Sequence, residues 1–133
     1  QLGAEVLLDT LERPSLSQIR EQDSSKVTYA PKIKKEDTKI DFNKSAFEIE
    51  AKIRGLAPSP GAWFNYRNER LKIFKANIIE GSTSPGEIVG PNFVIGCGKN
   101  LIEVLEIQRP GKSVLKVEDF LKGWRIKKGD FVN

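Results

Sequence analysis

The chain has 133 residues, 38% of them hydrophobic and 30% charged, a balance that fits one globular domain, or a domain plus an arm, and is too apolar for a disordered segment. It contains one cysteine and no histidine, which excludes an internal disulfide, a multi-thiolate zinc site and the Ser-His-Asp and Cys-His pairs of nucleophilic catalysis. Its net charge of +4 is uneven: residues 1–30 carry three basic against five acidic side chains, and residues 31–133 carry nineteen against thirteen. The basic excess belongs to the body of the chain and points to a polyanionic partner, with a plain solvated basic surface as the alternative.

No stretch approaches the roughly 18 to 20 apolar residues that span a bilayer, and the opening QLGAEVLLDTLERP lacks the basic and apolar regions of a signal peptide. With no methionine anywhere, Gln1 reads as a cut end, and a piece of a longer protein is expected. Residues 3–11 read as a helix with Val6, Leu7, Thr10 and Leu11 on one face and Pro14 as its stop; a further turn is possible over residues 15–22. So short a helix is marginal alone, so its apolar face is expected to pack on another domain. Residues 22–39, QDSSKVTYAPKIKKEDTK, lack periodicity and read as an extended arm, so the divisions are 1–13, 14–40 and 41–133. Ser45 and Glu48 form a capping-box pattern, and Phe42, Ala46, Ile49, Ile53 and Leu56 make one apolar stripe. Gly55 is placed as the left-handed residue closing that helix. Pro58 and Pro60 stiffen a corner, Gly61 allows a close backbone approach, and Trp63 starts the following strand at a core position with Phe64.

Beyond the corner the pattern is short strands: 62–66, 70–79 after a connection at Arg67-Asn68-Glu69, 87–89, 93–97 and 101–108. The second run changes face near Phe74, with Leu71 and Ile73 on one side and Phe74, Ala76 and Ile78 on the other, which indicates a bulge. Five short strands predict a mainly β fold, a small OB-like five-stranded barrel with one well-defined helix before it and a helical turn at 117–123 near the end.

Catalytic candidates are weak, and none is assigned. Cys97, between Gly96 and Gly98, has no base or cation beside it in sequence and reads as a small buried hydrophobe. The pairs Glu36-Asp37, Glu48/Glu50, Glu103/Glu106 and Glu118-Asp119 read as solvated or capping carboxylates, and GPNFVIGCGKN lacks the lysine spacing and following helix of a phosphate loop. The basic clusters are stronger: Lys32, Lys34, Lys35 and Lys39 in the arm, and Arg109, Lys112, Lys116, Lys122, Arg125, Lys127 and Lys128 against only Glu118 and Asp119. Of these, Lys32, Lys34, Lys35, Lys39, Lys112, Lys116, Arg125, Lys127 and Lys128 are the candidate nucleic-acid contacts, suited to a phosphate backbone. Trp63, Phe64, Phe74 and Phe93 fall at expected core positions, which disfavours base stacking; Trp124 is the one aromatic left open.

The ordered blocks TYAPKIKKEDTKIDFNKSAFEIEAKIRGLAPSPGAWF, LKIFKA, SPGEIV, VIGCGKNLIEVLEIQRPGK and DFLKG resemble the carboxyl-terminal region of methionyl-tRNA formyltransferase over about residues 28–133. GAEVLLDTL resembles the last helix of that family's catalytic domain. The resemblance implies an OB-like barrel and linker that hold initiator methionyl-tRNA. An amino-terminal catalytic domain, with 10-formyltetrahydrofolate as co-substrate, would carry the formyl transfer. It implies no cofactor, metal or membrane for this fragment, and a location in the cytoplasm or, in a eukaryote, an organellar matrix. Lys32, Lys35 and Lys112 fall in the family's basic blocks, whereas Lys34, Lys116, Arg125, Lys127 and Lys128 are added from charge alone. Ser59 departs from the family, which often has an aromatic between the two prolines. Formyltetrahydrofolate hydrolases and dehydrogenases, and a sugar-nucleotide formyltransferase, carry a similar corner, so a purely structural module is the alternative; KIKKEDTKIDF and EIQRPGK favour the tRNA enzyme.

Overall fold

The computed structural model describes residues 2–13 and 21–133, and the chain divides into Gln1–Lys32 and Ile33–Asn133. In the first unit, α1 (Leu2–Glu12) forms where the spacing predicts it, and Leu2, Val6, Leu7, Leu8 and Leu11 are all exposed. Pro14 and most of the turn considered over 15–22 lie outside the described residues.

The second unit is built on α2 (Ala46–Leu56) and an antiparallel sheet. Both halves of the capping box form: Ser45 Oγ accepts from the Glu48 N–H at 3.3 Å, and Glu48 Oε2 accepts from the Ser45 N–H at 3.1 Å. All five stripe residues, Phe42, Ala46, Ile49, Ile53 and Leu56, are buried, each large one contributing about 1.5–3 kcal/mol. Gly55 does not close the helix. It is an exposed position inside α2 and lacks a positive φ; the helix runs on to Leu56 and ends because Ala57 is extended (φ −78°, ψ 146°) ahead of Pro58. Gly61 (φ +81°) then donates its N–H to Leu56 O at 2.9 Å, and a Cβ there would sit 3.2 Å from the Phe74 ring.

From this corner β1 (Ala62–Tyr66) runs antiparallel to β2 (Glu69–Ile79). The connection is two residues rather than three, because Glu69 pairs with Tyr66; Arg67 and Asn68 take φ of 48° and 64°, the mirror-image turn that matches strand twist. The remaining strands are β3 (Val94–Gly96), β4 (Leu101–Gln108) and β5 (Leu115–Lys116), in the order β1-β2-β4-β3 with β5 also on β4. The bulge expected near Phe74 is present, as pairing shifts between Ile73 and Ala76. It resets the alternation: past it Ala76 and Ile78 share the face of Val104 and Ile102, Ala76 buried and Ile78 exposed, whereas half-buried Phe74, next to the core-facing Ile73, is on the other face.

Residues 87–89 form no ladder strand. Glu87 and Ile88 make isolated bridges to Phe131 and Ile95, and the fifth strand is β5 instead, two residues that pair with Glu106 and Ile107. The regular sheet is therefore open, with a gap between β1 and β3. Single bridges cross that gap, ending where the Asn133 N–H donates to Asn65 O at 3.0 Å. The arrangement is compatible with an OB-like fold. Inside it Phe64, Phe93, Leu71, Ile73, Ile95, Ile102, Val104 and Ile107 are fully buried against α2, and α3 (Val117–Gly123) covers one end with Val117 and Phe120.

A candidate nucleic-acid interface

Alternation along the hairpin sorts its side chains. Phe64 and Tyr66 face the core, so Trp63 and Asn65 face out, and the register sets Lys72 opposite Trp63 and Arg70 opposite Asn65. Trp63 is thus half-buried on the outer face and is not the core residue expected. The Arg70 guanidinium lies 4.1 Å from its ring centroid and Lys39 Nζ 5.8 Å away. Trp63 Nε1 donates to Lys35 O at 3.1 Å, which fastens residues 33–35 to the hairpin. Lys34, Lys35, Trp63, Arg70 and Lys72 line one cleft of about 270 Å³. Lys72 Nζ donates to Pro60 O at 2.8 Å, and the Asp37 carboxylate accepts the Lys34 N–H at 2.8 Å. Arg70 forms no ion pair among the described residues, and its buried Nε has no hydrogen-bond partner.

The other candidate cations are distributed differently. Lys112 lines a separate cleft of about 260 Å³ with Arg109 and Trp124. There Arg109 is committed: it donates to both Glu69 oxygens at 3.0 and 2.7 Å and lies 4.1 Å from the Trp124 centroid. Trp124 also stacks on Phe120 at 5.2 Å and 22°, so the aromatic left open by the sequence is part of the packed end of the core. Lys116, exposed, is paired in register with Glu106. Arg125 and Lys127 sit beside the hairpin turn: Arg67 donates to Arg125 O at 3.0 Å and to Asp130 Oδ2 at 2.9 Å, and the Tyr66 hydroxyl donates to Asp130 at 2.8 Å. Lys128 is exposed in the same tail, and Lys32 belongs to the first unit. The fold therefore gathers Lys34, Lys35 and Lys39 around Trp63 and places Lys112, Lys116 and the tail cations elsewhere on the sheet. Arg70 and Lys72 are the cleft cations that the sequence reading missed; the alternation of the hairpin carried the signal.

Rejected chemistry is explained by local packing. Burial pushes the Cys97 thiol up to about 11, so it stays protonated at neutral pH. Gly96 and Gly98 exist for contact: a Cβ on either would collide with the backbone oxygen of Ser84 or Asn43, and Gly98 N–H donates to Phe42 O at 2.9 Å. Glu48 serves the helix cap, Glu50 pairs with Arg54 at 3.2 Å, and Asp119 with Lys122 at 2.7 Å. Among the described residues no three His, Cys, Asp or Glu side chains cluster as metal ligands, and no helix is long and apolar enough to cross a membrane.

An open antiparallel sheet preceded by a capped helix, with a group of cations beside a Pro-Gly corner, defines a small β domain. Residues 32–125 match the formyl transferase C-terminal domain, and the chain belongs to that family. Its relatives include methionyl-tRNA formyltransferases of Ruegeria pomeroyi, 37% identical over 96% of this chain and 42% of that protein, and of Rhodopseudomonas palustris, 40% identical over 97% and 44%. The chain spans about two fifths of their length, at 42% and 44%, and the resemblance read from its sequence blocks holds. The crystal structure of HypX from Aquifex aeolicus in complex with tetrahydrofolic acid shares the fold, with a TM-score of 0.63 at 20% identity over 97% of this chain and 26% of that one.

Proposed function

We propose that this chain is the tRNA-positioning part of a methionyl-tRNA formyltransferase acting in translation initiation in the cytoplasm. Its partners are initiator methionyl-tRNA and the parent protein's own amino-terminal catalytic domain, which the exposed leucines of α1 would contact. The observation that carries the reading is the fastening of residues 33–35 to the hairpin through Trp63 Nε1 and Lys35 O, which converges Lys34, Lys35, Arg70 and Lys72 on one cleft. Cations held this way fix the register of an RNA through its phosphates, largely without reading bases. Lys32, Lys112, Lys116, Arg125, Lys127 and Lys128 would extend the contact along the backbone. Formyl transfer from 10-formyltetrahydrofolate would take place in the catalytic domain. Among the described residues the one buried polar side chain, Thr38, is engaged with Lys35 O at 2.8 Å.

Filter binding of this chain to tRNA tests the reading. Affinity should be weak and fall steeply with salt, and replacing Lys32, Lys34 and Lys35 together with alanine should lower the log–log salt slope by about two to three. The loss should be similar for unrelated tRNAs. Binding that is absent at low salt, or indifferent to salt, overturns the proposal in favour of a structural module.

A further inference from the structure

We propose that the cleft between residues 33–35 and the β1–β2 hairpin is a preformed phosphate-binding site, with Arg70 as its principal ligand and Trp63 as the platform that holds the guanidinium in place. The inference deepens the tRNA reading and rests on it for the source of the phosphate: one phosphodiester group of the bound RNA.

Three observations converge on Arg70. Its guanidinium is seated 4.1 Å from the Trp63 centroid, so the planar fork is oriented before any ligand arrives. It has no carboxylate partner among the described residues: Glu69, its neighbour in sequence, points to the opposite face of β2 by strand alternation and accepts there from Arg109. Its Nε is buried without an acceptor, an unsatisfied donor of a kind that folded proteins rarely tolerate without a reason. Lys72, tied to Pro60 O, and Lys34 and Lys35, held by the Trp63–Lys35 hydrogen bond, place further positive charge around the same opening. Of the acidic groups nearby, Asp37 is turned to the Lys34 N–H, Glu36 is exposed beside it, and Glu106 lines a different cleft with Lys72. A planar, unpaired and immobilised guanidinium ringed by lysines matches the bidentate geometry of a phosphate and has no such match to a neutral ligand. The Trp63 ring contributes by lowering the ordering cost of binding, and base stacking is not required of it.

Two measurements on the intact chain separate this site from the wider reading. The first follows the Arg70 Nε–Hε resonance by NMR while inorganic pyrophosphate, and separately tRNA, is added at low salt; both should shift it. The second is tRNA binding as a function of salt: Arg70→Ala should weaken binding about tenfold and lower the slope by about one, whereas Arg70→Lys should keep the slope and lose part of the affinity. A shift with pyrophosphate in a chain that does not bind tRNA supports the phosphate site and overturns RNA as its source. Undiminished tRNA binding by Arg70→Ala, or an Arg70 resonance indifferent to both additions while tRNA binds, overturns the site and leaves the tRNA reading intact.

Discussion

Trp63 and Trp124 each carry an arginine at 4.1 Å from the ring centroid, yet the two pairs are built for different ends. Arg109 is saturated: Glu69 accepts from it twice, and Trp124 continues inward onto Phe120 and from there to Phe93, an unbroken stack from surface to core. Arg70 is unsaturated, and Trp63 beneath it touches the outer face of the sheet and the carbonyl of Lys35. The same contact thus closes a core in one place and presents a charge in the other. What decides between them is whether a carboxylate is within reach: Glu69 points to the face of the sheet where Arg109 lies, and alternation along β2 turns Arg70 to the other.

The sharpest way to break the comparison is to remove the rings. Trp124→Ala should lower the unfolding free energy by about 2–3 kcal/mol in urea titrations, since it empties a stack that reaches Phe93, whereas Trp63→Ala should cost about 1 kcal/mol or less. Equal losses would mean that both rings belong to the core. Next come the arginines. Arg109→Ala leaves a half-exposed Glu69 without its partner and should cost about 1 kcal/mol; Arg70→Ala should stay within about 0.5 kcal/mol while weakening phosphate binding. A double-mutant cycle of Glu69→Gln with Arg109→Gln should return a coupling of about 0.5–1 kcal/mol, and no coupling for Glu69→Gln with Arg70→Gln.

The smallest effect concerns a third arginine–aromatic pair, Arg67 at 4.9 Å from the Tyr66 ring, where Asp130 supplies the carboxylate. The Tyr66 hydroxyl, and then Arg67, hold the Asp130 carboxyl below its usual range. A carboxyl lowered in the folded state adds stability that is complete above its unfolded pKa near 4 and is lost as pH falls through the lower folded value. Melting temperature measured from pH 6 downward should therefore fall less steeply below about pH 4 in Asp130→Asn than in the parent chain. An unchanged acid limb would show that this carboxylate is merely solvated.

Elements with a complete local code were legible in the sequence. The capping box at Ser45 and Glu48 and the stripe from Phe42 to Leu56 define α2 without help from the rest of the chain. The long runs of β2 and β4, and the change of face near Phe74, were legible for the same reason. Elements defined by a neighbour were not. Leu115–Lys116 are strand only because Ile107 and Glu106 lie beside them, and residues 87–89 lose strand status because their partners are single bridges. Gly55 misled because a pre-proline residue stops α2 before a left-handed glycine is needed. At the candidate site the lysines of the arm were visible as charge, but Arg70 and Lys72 were hidden inside a strand. Trp63 was assigned inward, although alternation from a buried Phe64 sends it outward and sets the two cations next to it.

The gap between β1 and β3 has a consequence for motion. β2 and β4 are held by a long two-sided ladder, whereas the N–H groups of Ile88, Val132 and Asn133 depend on lone bridges in a strip that no regular strand flanks on both sides. Local opening follows the weakest set of hydrogen bonds. Deuterium should therefore enter at these three amides well before it reaches Ile73 or Val104, so the domain breathes by parting along one line while its other wall stays shut.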